Sequence, residues 1–417
     1  MLDRLPPFLV RLLRETPELT RAFLVGGCVR DWRLGVPGKD FDIEVFGLDY
    51  DELVKALSRW GRADLVGRSF GVVKLTAAGE TFDFSLPRRD SKVTPGHQGF
   101  AVEFDPAITP RDAAARRDFT INALMFDPRR GELLDFFGGE ADLHARVLRH
   151  TSEAFPEDPL RVLRGMQFAA RFDLTAAPGT LELCRLISGS FSELASERVF
   201  GEWQKWATKS AVPSAGLRFL HDSGWLAHFP EPAALVGVPQ DPEWHPEGDV
   251  WTHTLHCLDA LVTLPQWCAA DEETRGVLSF AVLAHDFAKP SCTHTAERDG
   301  RLRIVSPGHE AAGGPLAETF LRRLGAPNAL LDRVPPLVTN HLAHLQDATP
   351  RAVRRLANRL APATIRELTT VMIADAFGRP PKPRDNPTGV TGLLAAAERL
   401  DLQAQAPKPI LLGRHLI

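Results

Sequence analysis

Strand-like runs crowd into the first third of this 417-residue chain and then give way to helical spacing; no other feature limits the fold as much. Ala22 to Val25 reads as a strand, Gly26-Gly27 as a tight turn and Val29 to Leu34 as a helix start. Phe41 to Val45 reads as a second strand, and Val72 to Leu75 with Thr81 to Leu86 as a hairpin around Ala78-Gly79-Glu80. From about residue 151 the apolar positions recur at helical intervals, as in Leu160, Leu163, Met166, Phe168 and Ala169. A proline-rich stretch from Pro230 to Pro246 and a second break at Arg379 to Pro383 punctuate this half. The spacing predicts an α/β head over 1–150, a mainly α-helical neck over 151–230, a helical body over 231–380 and a partial helical tail over 381–417.

Hydrophobic residues make up 44% and charged residues 24%, the balance of a globular chain. Apolar runs such as Val277 to Ala284 are too short to span a bilayer, so no membrane partner is expected. The N-terminus lacks the apolar core of a signal peptide, and five cysteines stand without a CxxC pair. Both point to the cytoplasm. A net charge of −4 does not announce a polyanion partner, yet arginines cluster at Arg111, Arg116 and Arg117, at Arg161 and Arg164, and at Arg351, Arg354, Arg355 and Arg359. A solvated arginine-rich surface explains those clusters equally well.

Asp40-Phe41-Asp42 opens a predicted strand, and side chains two apart on a strand share a face. Their carboxylates suit Mg²⁺ with phosphates and water. Such a pair is common on half-exposed strands, so its surroundings decide. Gly26-Gly27 lets backbone N–H groups approach a triphosphate, with Arg30 and Asp31 at the helix start. This phrase, followed by Leu34-Gly35 and Asp40-Phe41-Asp42, resembles the signature of DNA polymerase β-type nucleotidyltransferases, in the class of bacterial tRNA nucleotidyltransferases and poly(A) polymerases. Asp83, in Phe82-Asp83-Phe84, occupies the position of a third acid in that superfamily, or else is a plain edge-strand acid. Arg116 to Leu124 resembles the second motif, which implies that Arg117, Asp118 and Asn122 face the nucleotide's sugar and phosphates.

Asp158 before Pro159 reads as a helix N-cap, with Arg161 three residues on and on the same side. The two can form a surface ion pair or offer hydrogen-bonding groups to a base edge. Glu157 to Arg164 is similar to the family element that selects C and A without a nucleic-acid template, which implies that Asp158 and Arg161 read the base, with Arg164 nearby. Glu197, Arg198 and Glu202 resemble the last motif, a buttress of the neck. The long polar segment from Pro87 to His97 resembles the flexible loop tied to addition of the terminal A, which disfavours an enzyme that stops at CC.

In the second half His285-Asp286 follows the apolar run Phe280 to Ala284, with His253 upstream and Asp375 downstream. That order resembles the HD phosphohydrolase superfamily, whose imidazole and carboxylate donors suit Ni²⁺, Mn²⁺, Co²⁺ or Fe. His309 and His341 are candidates for further ligands or phosphate contacts, and Lys289 for a phosphate contact. Pro409 to His415 resembles the start of a tail that relatives continue.

The whole is similar to HD-containing bacterial tRNA nucleotidyltransferases of the CCA-adding type. The resemblance implies Mg²⁺-dependent transfer from CTP and ATP to the 3′ end of tRNA. It also implies metal-dependent phosphatase, 2′-nucleotidase or 2′,3′-cyclic phosphodiesterase activity in the body. Addition of A alone, a poly(A) polymerase, and an HD phosphohydrolase with an RNA-binding head are the rival readings. The oligomeric state is not legible.

Overall fold

The computed structural model describes residues 1–38, 40–64, 71–92, 100–298 and 300–406. The chain divides into two compact units, one of Met1–Arg161 with Thr175–Glu193, the other of Val162–Leu174 with the described residues from Leu194 onward. It passes between them inside the helix Leu160–Phe172.

The first unit is built on a seven-stranded mixed sheet. Its strands are β1 (Ala22–Val25), β2 (Asp42–Val45), β3 (Arg62–Asp64), β4 (Val72–Ala77), β5 (Glu80–Ser85), β8 (Met125–Asp127) and β9 (Glu132–Leu134), in the spatial order β3-β4-β5-β2-β1-β8-β9. Between these in sequence, β6 (Arg88–Lys92) and β7 (Phe100–Phe104) form a separate antiparallel pair. The start of the predicted polar segment is therefore paired strand, while Val93 to His97 lie outside the described residues. Strands β4 and β5 join through Ala78 and Gly79, both at positive φ (54° and 81°), the backbone of a two-residue hairpin turn. Leu9, Leu12 and Leu13 make one buried face of the helix Pro7–Glu15, and Leu24, Ile43, Val73, Leu75 and Phe84 are buried in the sheet. Each such side chain contributes about 1.5–3 kcal/mol of burial. A short parallel pair, β10 (Val147–Leu148) with β11 (Thr175–Ala176), completes this unit.

The second unit is almost all helix. Its core is aromatic: the Trp203 ring lies 4.9 Å from Phe229, 5.3 Å from Trp206 and 5.5 Å from Phe320, centroid to centroid. Helix Glu272–Ala284 starts where Asp271 accepts from the Thr274 N–H, and every residue from Gly276 to Ala284 is buried. A helix apolar all round must run through a core, so its C-terminal neighbours His285 and Asp286 are carried inside with it. The helical reading of this half misses one hairpin, β12 (His294–Arg298) with β13 (Arg301–Val305). The tail phrase Pro409 to His415 lies outside the described residues.

Candidate functional site

In the head, β2 and β5 run parallel with Asp42 opposite Asp83, so the two carboxylates leave the same face of neighbouring strands. Asp42 opens β2, and the exposed Asp40 lies just before it. Burial raises the Asp42 carboxyl above its ordinary range, Arg117 opposes that shift, and the charges of Asp83 and Asp40 add to it. One Asp83 oxygen is buried with no hydrogen-bond partner among the described residues. Lys74 Nζ stands 3.6 Å from that oxygen, beyond hydrogen-bonding reach, and carboxylates crowded in this way fit a divalent cation that would neutralise them.

Arg117 lies beside this face, donating to Glu44 at 3.2 Å. It packs so tightly on the turn after β1 that a Cβ at Gly26 would sit 2.7 Å from its Nη1. Gly26 also has φ of 71°, so glycine is required there twice over, and Gly27 begins the helix Gly27–Arg33. Arg30, Asp118 and Asn122 are buried and joined together. Arg30 donates to Asn122 at 2.5 Å and to Asp31 at 2.6 and 2.8 Å, and the Asn122 amide donates to Asp118 at 2.9 Å. The oxygen and the nitrogen of Asn122 are thus both engaged inside the protein.

Asp158 accepts from the Leu160 N–H at 3.1 Å, the N-cap bond expected of it. Arg161 does not take the form of a free surface side chain. It donates to the carbonyls of Ala154 (2.6 Å) and Arg116 (2.7 Å), which fixes its guanidinium beside Asp158 in sequence. Arg164 stands over the Phe168 ring at 5.2 Å within the second unit. Glu202 is buried and pairs with Lys205 at 2.8 Å.

The second unit brings His253, His285, Asp286, Lys289, His309, His341 and Asp375 together, all buried. His253 comes from helix Val250–Leu261, Asp375 from helix Ile365–Phe377, and His309 opens helix His309–Leu324. His253 Nε2 is 3.1 Å from Asp375, and Asp286 is 3.1 Å from His285, 3.3 Å from His309 and 2.8 Å from Lys289. His285 Nε2 and both Asp286 oxygens nevertheless have no partner in hydrogen-bonding geometry among the described residues. Polar atoms this deep are ordinarily satisfied, so donors aimed at a common point rather than at one another fit a metal ion. Lys289 also donates to Gln240 at 2.7 Å.

Four residues at this centre escaped the sequence reading. Glu247 lies 2.8 Å from His253 Nδ1 and 2.9 Å from His245 Nδ1, and Arg379 donates to Asp375 at 2.6 Å. Cys257 is 3.3 Å from His253 Nε2. Burial pushes the His245 ring down to about 4, against the pull of Glu247. Cys257 and Arg379 each follow an assigned residue by four positions on a helix or its end, a spacing that could have found them. His245-Pro246-Glu247 sits in the proline-rich break and gave no periodic signal.

Residues 22–149 match the poly A polymerase head domain. The chain is 41% identical over 315 residues to the multifunctional CCA protein of Methylococcus capsulatus, covering 74% of this chain and 69% of the relative. Identity to the Chromobacterium violaceum multifunctional CCA protein is 38%, over 86% of this chain and 80% of that one. Among solved structures, the Bacillus stearothermophilus CCA-adding enzyme in complex with CTP aligns with a TM-score of 0.64 at 21% identity, over 99% of this chain and 87% of that chain. The Thermotoga maritima CCA-adding enzyme complexed with tRNA aligns at 0.60 and 18%, over 99% and 87%. At such identities the structures speak for the fold alone.

A polymerase β-type head on a mainly helical chain makes this an enzyme of the nucleotidyltransferase class, whose chemistry depends on divalent metal. The chain belongs to the family of multifunctional CCA proteins. No helix among the described residues is long and apolar enough to cross a membrane.

Proposed function

We propose that the head adds C and A to the 3′ end of tRNA, taking CTP and ATP as donors and Mg²⁺ as its metal. The observation that carries this reading is the parallel register of Asp42 with Asp83 beside Gly26 and Arg117. Asp40, Asp42 and Asp83 would hold the metal, which when bound neutralises phosphate charge and favours ionisation of the attacking hydroxyl. The chain's own work is then positioning. Gly27 offers its backbone N–H to the triphosphate, the Gly26 N–H being held by the Leu124 carbonyl at 3.3 Å, and Arg117 supplies a cation beside it. The buried Arg30–Asn122–Asp118 chain holds the helix Gly27–Arg33 against the turn that carries Arg117. Asp158 and Arg161, each fixed by backbone bonds, offer an acceptor and donors to a base edge, with Arg164 following on the same helix.

The test is incorporation of labelled CTP and ATP, given separately, into tRNA ending before CCA, after C and after CC. Labelled C on the shortest tRNA is the expected outcome. Label from ATP alone, on the CC-ended tRNA only, would replace this reading with an A-adding enzyme. Untemplated runs of A would replace it with a poly(A) polymerase.

A second activity is favoured by the joint burial of His253, His285, Asp286 and Asp375, where His285 Nε2 and Asp286 Oδ1 have no hydrogen-bond partner among the described residues and Lys289 pairs with Asp286 Oδ2 at 2.8 Å. The buried cluster is read as a metal-dependent phosphohydrolase centre, with His253, His285, Asp286 and Asp375 as ligands and a transition metal (Ni²⁺, Mn²⁺, Co²⁺ or Fe) as the ion. A phosphomonoester and a 2′,3′-cyclic phosphodiester are the substrates to try. Metal-stimulated release of phosphate, lost in Asp286→Asn, supports the assignment; equal release after chelation refutes it.

A further inference from the structure

Of the three arginine clusters in the sequence, the fold engages two. Arg111 lies over the Phe137 ring at 5.2 Å, and Arg116 and Arg117 face Glu157 and Glu44. Arg161 donates to two carbonyls, and Arg164 stands over Phe168. The third cluster lies on helix Pro350–Leu360. Arg351, Arg354, Arg355 and Arg359 are all exposed, and no ion pair among the described residues reaches any of them. Arg354 donates to the Pro350 carbonyl of its own helix at 3.5 Å.

The helix is sharply two-sided. Val353, Leu356, Ala357 and Leu360 are buried, and the four arginines with Asn358 form one continuous arc on the opposite side. No acid occurs within the helix. Like charges three or four residues apart repel, as Arg351 does with Arg354 and Arg355, and Arg355 with Arg359. Arg351 also lies in the first turn, at the positive end of the helix dipole. Each of these is a cost to the chain by itself, and a polyanion laid along the arc removes all of them at once.

The surface beside the arc is hollow. A cavity of about 510 Å³ is lined by Thr339, Asn340, Gln346 and Arg359 among others, and one of about 150 Å³ by Gln346, Arg355 and Arg359. Glu310 lines the first and Asp347 the second, and neither pairs with an arginine of the row. Hydroxyl, amide and guanidinium groups around spaces of this size suit sugar and phosphate. A net charge of −4 gives the whole chain no attraction for a polyanion, so a local row has to supply it.

We infer that the exposed face of helix Pro350–Leu360 is a docking surface for the phosphate backbone of tRNA, held by Arg351, Arg354, Arg355 and Arg359. The inference rests on reading the head as an enzyme that extends tRNA. A polynucleotide strand presents a negative charge every few ångström, and the row presents four positive ones over about 12 Å of helix. Contacts of this kind position the RNA and carry no base specificity.

The test is the salt dependence of tRNA binding by the full chain and by a variant with Arg351→Gln, Arg354→Gln, Arg355→Gln and Arg359→Gln together. Each phosphate contact contributes about 0.7–0.9 to the slope of log affinity against log salt. The fourfold variant should therefore lose about 3 from that slope, equally for tRNAs of different sequence. At saturating tRNA it should transfer labelled CMP at the wild-type rate. Its urea midpoint at low salt should equal or exceed that of the wild type, because self-repulsion has been removed. Should it unfold earlier, the four single variants decide, each losing just under 1 from the slope. Equal slopes in folded variants, with the wild type binding and extending tRNA, would overturn the inference and leave the row to an acidic protein partner. Transfer lost at saturating tRNA would also overturn it, since docking acts through affinity. A wild type that neither binds nor extends tRNA would overturn the reading of the head as well.

Discussion

Gly26 and Asn122 show how single residues hold the head together. At Gly26 a methyl group would meet both a positive φ and the Arg117 guanidinium. Gly26→Ala should therefore lower nucleotide incorporation by displacing Arg117, and should destabilise the chain by about 1–2 kcal/mol in urea unfolding. The sequence reading took this glycine for phosphate approach alone; that its missing Cβ also seats an arginine ninety-one positions away is a tertiary fact no local pattern carries. At Asn122, deletion of the amide leaves the buried Arg30 without its 2.5 Å acceptor and removes the side-chain donor to Asp118, which keeps the Phe119 N–H at 2.8 Å. Asn122→Ala should cost about 1–3 kcal/mol in the same measurement. An unchanged urea midpoint would show that the chain of bonds holds nothing. The alternation around Asp83 made that residue visible as a candidate, but its pairing with Asp42 depends on strand order, and order is set by the whole sheet.

Elements were legible where periodicity was strong and blurred where it was weak. The strand Ala22–Val25, buried throughout, was visible as a short apolar run closed by Gly26-Gly27, and the helix Ser196–Lys209 because its buried face repeats with period 3.6. The hairpin of β12 and β13 went unread because its strands are largely exposed, so no apolar alternation marks them. Asp299-Gly300 between them is nonetheless a hairpin signal in the sequence. Helix crossings were invisible. Gly378, at the end of helix Ile365–Phe377, lies so close to helix Val250–Leu261 that a Cβ would be 2.3 Å from Cys257 Sγ and 2.8 Å from its backbone nitrogen. Its φ of −76° is ordinary, so the glycine serves closeness and not turning. Gly378→Ala should push apart the helices that carry His253 and Asp375, destabilise the fold by about 1–3 kcal/mol and weaken Mn²⁺ retention together. Weakened stability with full Mn²⁺ retention would separate the packing from the centre.

At the scale of the molecule, burial of the histidines makes stability depend on pH. Desolvation lowers the pKa of His150, His256 and His344, takes His245 to about 4 and takes His341 to about 3, whereas His253 is raised by its acidic and thiol neighbours against its own burial. The five lowered rings stay neutral in the fold while the unfolded chain takes up protons below its ordinary value of 6.5. Their contribution is present above that value and is lost as pH falls from there toward 4 and 3; His253 acts in the opposite sense. The chelated chain should therefore show a lower urea midpoint at pH 5.5 than at pH 7.5, and a higher one would mean that the raised ring dominates. Division into a strand-rich head and a helical remainder was legible from patterning. The exchange of Val162–Leu174 and Thr175–Glu193 between the two units was not, since both segments read alike as helix.

The claim on which the rest depends is that the head carboxylates carry nucleotide transfer. Its most direct measurement is single-turnover addition of labelled CMP to tRNA lacking CCA, by the wild type and by Asp42→Asn. Loss of transfer by about a hundredfold or more, with unchanged tRNA binding, is the result expected. Transfer at the wild-type rate by Asp42→Asn would contradict the account at its centre.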